Sequence, residues 1–158
     1  MSKVIIYTDG ASKGNPGDAG IGVVISSPEG EVLREIGEYI GKTTNNVAEY
    51  SALIRGLKEA ADLGATHIEI STDSELMARQ LTGVYKVKSP NLQPLYAEAV
   101  GLIRHFASVS ISHVVRELNS RADELANLGV KNRSKPRQKR VDAAARPSGK
   151  SNQREMEF

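Results

Sequence analysis

Two aspartates close apolar stretches of this sequence: Asp9 follows Lys3-Val4-Ile5-Ile6-Tyr7-Thr8, and Asp73 follows His67 to Thr72. If those stretches are neighbouring parallel strands, both carboxylates reach the same rim of an α/β sheet, where such folds place their chemistry. Two acids that close repel and push one pKa up. A divalent cation removes the conflict by taking oxygen ligands from both. Either aspartate alone is equally well explained by the preference of Asp for turns. Helical geometry adds two more acids. Glu49 falls in the first turns of a predicted helix, on the flank of its apolar stripe beside Leu53 and Ala60. An acid there also suits the positive end of the helix dipole. Asp123 borders the stripe that a final helix is expected to bury (Leu118, Ala122, Leu125, Ala126 and Gly129), while Glu124 points to solvent. Together these four acids could hold a pair of hard, oxygen-seeking cations.

The elements that must position them follow from pattern. Val4-Ile5-Ile6-Tyr7 reads as a strand buried on both faces, ending on Asp9 and turned back at once by Gly10, Gly14, Asn15-Pro16-Gly17 and Gly20. Gly20 to Ser26 and Glu31 to Ile40, joined through Pro28-Glu29-Gly30, complete an antiparallel meander. Thr43 to Asn46 offers helix caps ahead of Val47, Tyr50, Leu53, Ile54, Leu57 and Ala61, a helix that ends near Leu63-Gly64. A fourth strand runs from His67 to Asp73, a short helix from Ser74 to Leu81, and a helix from Leu95 to Phe106. A fifth strand from Val109 to Val115 precedes a last helix from Asn119 to Val130. The order is βββαβααβα, and the helix before strand four provides the crossover that parallel pairing with strand one requires.

Composition narrows the class. The 158 residues suffice for one domain that buries about two-thirds of its unfolded surface. With no cysteine there is no disulfide framework, thiol nucleophile or Cys-based zinc site, and a cytoplasmic setting is expected. No run approaches membrane-spanning length. The net charge of +2 is unevenly spread: residues 1–130 carry 12 Lys+Arg against 16 Asp+Glu, and residues 131–158 carry 9 against 3. The expected organisation is an acidic folded domain over 1–130 and a basic, disordered tail over 131–158.

Four blocks carry a resemblance. Tyr7-Thr8-Asp9-Gly10-Ala11-Ser12-Lys13-Gly14-Asn15-Pro16-Gly17, Thr43-Thr44-Asn45-Asn46-Val47-Ala48-Glu49-Tyr50, Ser71-Thr72-Asp73-Ser74 and Asn119-Ser120-Arg121-Ala122-Asp123-Glu124-Leu125-Ala126 resemble the motifs of ribonuclease HI, in the family's order. The resemblance spans residues 3–130 and implies an RNase H-like fold, a five-stranded mixed sheet with helices on both faces. It implies a catalytic and metal-binding set of Asp9, Glu49, Asp73 and Asp123, with Asp9 bridging two Mg²⁺ ions (Mn²⁺ being an alternative). The implied reaction is hydrolysis of the RNA strand of RNA/DNA hybrids to 5′-phosphate and 3′-hydroxyl ends. The implied substrate contacts are Gly10, Ala11, Ser12, Asn15, Asn46, Ser74 and Glu75 on the RNA, with Thr44 seating a DNA phosphate. Asn15 and Thr44 are equally suited to turn and cap. A monomer with no membrane or protein partner is expected. The rival readings are an inert hybrid-binding module and a related metal-dependent nuclease acting on another duplex.

The sequence departs from the family in two places. The loop in which some members carry a catalytic histidine is shortened to Val115-Arg116-Glu117-Leu118-Asn119-Ser120-Arg121, which makes Arg116 the candidate assisting residue. His113 alternates with Val109, Ile111 and Val115 and is expected to pack in the core. The basic, Trp-containing protrusion of other members is also missing: this chain has no Trp, and the segment Val84 to Lys88 is short. The basic tail is either a compensating electrostatic anchor or a solvated segment without a role.

Overall fold

A computed structural model describes residues 2–132, which form five strands and four α-helices. The basic tail lies, from residue 133 on, outside the described residues. The sheet runs β3-β2-β1-β4-β5, with β1 (Lys3–Gly14) in the middle, β2 (Gly17–Ser26) and β3 (Val32–Thr43) on one side, and β4 (His67–Thr72) and β5 (Ser108–His113) on the other. The β1–β2 and β2–β3 pairs are antiparallel, whereas β4 is parallel to β1 and β5 to β4.

Helices cover both faces. α1 (Asn45–Asp62) carries the chain from β3 to β4, and α2 (Glu75–Leu81) and α3 (Gln93–Ile103) adjoin it. Its face of the sheet presents Ile6, Thr8 and Val23 to Gly56. α4 (Ser120–Lys131) lies on the opposite face, over β1, β2 and β3, where the alternate residue Gly22 meets Ala122. The core sits between α1 and the sheet, with Ile6, Val23, Ile25, Ile36, Ile70, Leu53 and Leu57 all fully buried. Thr44 caps α1 by accepting from the Val47 amide (3.3 Å), and Ser74 caps α2 by accepting from Met77 (3.2 Å).

Four expectations change. β1 does not end at Asp9. Its parallel pairing with β4 stops at Thr8↔Thr72, but its antiparallel pairing with β2 continues from Asp9↔Gly22 to Gly14↔Gly17. The glycine-rich stretch is therefore a hairpin arm, and the tight turn comes at Asn15-Pro16, whose peptide bond is cis. In α1, Ala61 is exposed, and Glu59 is buried in its place. Glu59 accepts from Arg34 and from Arg55 Nε (2.9 Å), and Arg55 also pairs with Glu38, so that an ion network ties α1 to β3. His113 is exposed instead of packed in the core. It pairs with Thr72, the last residue of β4, so no sheet extends beyond it to bury the ring. Leu118 is exposed as well, because Arg116–Asn119 form a 3-10 turn whose period of three puts it out of phase with α4. Asn119 takes the buried position, and its Nδ2 donates to the Thr8 carbonyl at 2.8 Å.

Candidate active site

Asp9 is the first β1 residue past the parallel ladder with β4, and Asp73 is the first residue past β4 itself. The register Thr8↔Thr72 therefore sets the two acids side by side across strands about 4.8 Å apart. Glu49 is delivered by a missing side chain. A Cβ on Gly10 would stand 2.4 Å from the Ala48 carbonyl carbon and 2.5 Å from the Glu49 amide nitrogen, so bare backbone lets α1 rest directly on β1. Carboxylate oxygens of Asp9, Glu49 and Asp73 consequently all lie within 4.8 Å of one another. Asp123 comes from the other face by a similar route. A Cβ on Gly22, the partner of Asp9 in the ladder, would stand 1.9 Å from the Ala122 carbonyl oxygen. α4 is thus seated close enough for Asp123 to interact with Asp9.

Burial pushes the Asp9 carboxyl well above the ordinary carboxylate range, and Glu49, Asp123 and Asp73 push it further. Glu49 is raised for the same reasons, desolvation first and Asp73 next, against the opposing pull of the Gly10 amide and Arg116. One oxygen of Glu49, Oε1, is buried without a hydrogen-bond partner. An unpartnered carboxylate oxygen beside two other acids is costly unless a cation occupies the space between them. The donor set is all oxygen, which suits a hard divalent ion such as Mg²⁺.

These acids line a cavity of about 770 Å³. Of the expected substrate contacts, Gly10, Ala11, Ser12, Asn46 and Ser74 line it, as does Arg116, whose Nη2 lies 3.7 Å from Asp123 Oδ1. Asn15, Thr44 and Glu75 stand just outside. Asn15 Oδ1 accepts from the Asn45 amide (3.0 Å), and Asn45 Oδ1 accepts from the Ser12 amide (3.0 Å), a reciprocal clip between the hairpin and α1. Thr44 caps α1, and Glu75 pairs with Arg79 at 2.8 Å. Lys13, Asn45, His113 and Asn127 line the cavity without having been expected there.

Comparison with known proteins agrees with this geometry. A family model described as reverse transcriptase-like matches residues 7–129. The chain is 47% identical over 125 residues to a ribonuclease HI of Halobacterium salinarum, an alignment covering 79% of this chain and 63% of that protein. The chain belongs to the ribonuclease HI family. It is also 46% identical over 126 residues to a bifunctional protein of Mycobacterium tuberculosis, covering 79% of this chain and 35% of that one. This ribonuclease HI chain thus spans less than two-thirds of the length of either relative. Among solved structures, an RNase H1 isolated from compost, in complex with an RNA/DNA hybrid, superimposes with a TM-score of 0.79 at 46% identity. That match covers 83% of this chain and 99% of the other. The RNase H-like architecture and its mixed sheet were both legible in the motif blocks. The candidate site draws on α4 and the 3-10 turn before it, which sets Arg116 beside Asp123.

Proposed function

We propose that this chain is an endoribonuclease that hydrolyses the RNA strand of RNA/DNA hybrids, leaving 5′-phosphate and 3′-hydroxyl ends. The observation that carries the reading is the convergence of Asp9, Glu49 and Asp73 within 4.8 Å, with Glu49 Oε1 buried and unpartnered. Asp9, Glu49, Asp73 and Asp123 would hold two Mg²⁺ ions, with Mn²⁺ a substitute of similar ligand preference. Bound there, such ions supply the charge that stabilises the attacking and departing oxygens of a phosphodiester. Asp9 interacts with all three other acids and is therefore the shared ligand in this reading. Arg116, exposed at the rim beside Asp123, is placed to hold a phosphate oxygen.

The backbone of Gly10, Ala11 and Ser12, with Asn46 and Ser74, supplies small and polar groups to the cavity of about 770 Å³. Contacts of that kind read sugar and phosphate and leave base sequence unread. Asn15, Thr44 and Glu75 complete the proposed surface from its margin. The hybrid-bound structure at 46% identity supports the choice of duplex. All four acids come from one chain, so the proposed active unit is a monomer, and its proposed setting is the cytoplasm. An inert binding module would gain nothing from four acids facing a polyanion. Labelled RNA/DNA, RNA/RNA and DNA/DNA duplexes, incubated with and without Mg²⁺, test the proposal. Cleavage confined to the RNA of the hybrid and dependent on metal is expected. Binding without cleavage, or cleavage of DNA, overturns it.

A further inference from the structure

Lys13 lies in the same cavity as the four acids, yet it makes no ion pair among the described residues. It sits on the hairpin arm of β1, four residues beyond Asp9, and its Nζ donates to Asn127 Oδ1 at 3.3 Å. Asn127 is one turn along α4 from Asp123. Its Nδ2 donates to the Asp123 backbone carbonyl at 2.9 Å, which fixes the amide and turns its oxygen towards the lysine. An amide oxygen is a neutral acceptor, so it holds an ammonium group in place without cancelling its charge. Arg116, by contrast, faces Asp123, and Lys3 and Lys58 are paired with Glu69 and Glu98. Two divalent cations would match the charge of the four acids, leaving the Lys13 charge available to a polyanion.

We propose that Lys13, oriented by Asn127, binds a phosphate of the cleaved strand that flanks the reacting one. This rests on the hybrid-cleaving reading of the cavity. Four residues of extended strand separate the Lys13 and Asp9 backbones by roughly 13 Å, and the ammonium rests on Asn127, one turn of α4 beyond Asp123, so it meets the strand beside the reacting phosphodiester. Its contribution falls on binding and on strand register, as phosphate contacts generally do. Lys13 is a phosphate-binding residue, and Asn127 is a positioning residue that acts through it.

The test combines steady-state cleavage of a short RNA/DNA hybrid with anisotropy measurements of hybrid binding in the non-cleaving Asp73→Asn background, both over a salt series. Lys13→Ala is expected to raise KM about 5- to 20-fold while changing kcat less than about 2-fold. It should also lower the slope of log affinity against log salt by about 1. Lys13→Arg should retain most of the affinity. Asn127→Asp places a carboxylate against the ammonium and should reproduce the loss in salt slope, whereas Asn127→Ala, which keeps the lysine charge but removes the acceptor that holds it, should keep the slope and raise KM about 3- to 5-fold. An unchanged KM and salt slope in Lys13→Ala overturn the assignment. An unchanged KM in Asn127→Ala overturns the part given to Asn127. If the unmutated chain leaves the hybrid intact, the cleavage reading fails, and the anisotropy series still decides Lys13 by its own slope. Absence of hybrid binding in the Asp73→Asn background overturns both.

Discussion

Asp9 is buried against Glu49, Asp73 and Asp123, and each of these neighbours makes its ionised form less favourable. Without metal, the folded chain holds protons on Asp9 and Glu49 that an unfolded chain releases in the ordinary carboxylate range, near pH 4. From that pH upward the folded state binds more protons than the unfolded state, so its stability falls as pH rises. The stabilisation is fully present below the unfolded pKa and is lost as pH climbs through the raised folded values. Thermal melts in EDTA should therefore fall steadily from acid to alkaline pH, and saturating Mg²⁺ should flatten the trend. Asp9→Asn removes the group that must take up a proton when the metal-free chain folds. It should abolish cleavage while raising the metal-free melting temperature at pH 8 by roughly 3–8 °C, the equivalent of about 1–2 kcal/mol. A melt that drops on this substitution, or an EDTA profile without slope, contradicts the charge cluster. Arg116 answers to a different measurement. Arg116→Ala removes the proposed charge-assisted contact to phosphate and should lower kcat about 10- to 100-fold with little change in melting temperature, since the side chain is exposed. An unchanged kcat removes Arg116 from the reaction.

At the scale of elements, the site exists because two helices rest on glycines. α1 touches β1 at Gly10, and α4 touches β2 at Gly22, where any added side-chain carbon would collide with backbone atoms that cannot move aside cheaply. Gly10→Ala should cost about 2–3 kcal/mol, as overpacking does. It should also reduce cleavage about 100-fold by lifting Glu49 away from Asp9. Circular dichroism with melting separates this from unfolding: a folded Gly10→Ala protein with full activity refutes the close-approach argument. These contacts also explain what the sequence could and could not disclose. Asp9 and Asp73 were legible because the apolar runs that pair in parallel stop just before each of them, although β1 itself continues, and Glu49 and Asp123 because helical phase fixes which flank they occupy. Lys13 and Asn127 were not legible: they meet only once α4 has settled on the bare backbone of β2, a long-range event with no local signature. His113 misled because alternation distinguishes two faces but does not reveal that β5 is an edge strand stopping where β4 stops. Leu118 misled because a 3-10 turn and an α-helix share hydrogen-bonding habits but differ in period. Glu59 showed only half its signal: Arg55, four residues earlier on α1, is a local partner, but Arg34, and Glu38 that pairs with Arg55, lie on β3.

For the whole molecule, charge sets a problem that the fold alone does not solve. Residues 1–130 carry 12 Lys+Arg against 16 Asp+Glu, so the folded body repels the polyanion it is proposed to cleave. Metal uptake cancels charge at the acid cluster and nowhere else. Residues 133–158 carry 8 Lys+Arg against 3 Asp+Glu, a net +5 attached directly after α4, the helix that bears Asp123 and Asn127. A tethered cationic segment raises the local concentration of a nucleic acid by the release of its counterions, and this effect weakens steeply with salt. Deleting residues 133–158 should therefore raise KM for a hybrid at low salt about 10-fold and flatten its salt dependence, while leaving kcat and the melting temperature of the body close to those of the full chain. The cut falls after Asn132, the C-terminal cap of α4, so the helix keeps its last turn. Adding salt to the full-length chain should reproduce the effect of the deletion, because both remove the same attraction. If KM and its salt dependence survive the deletion unchanged, attraction to the hybrid must instead come from cations of the body, and Lys13 and Arg116 would then be the groups to examine first.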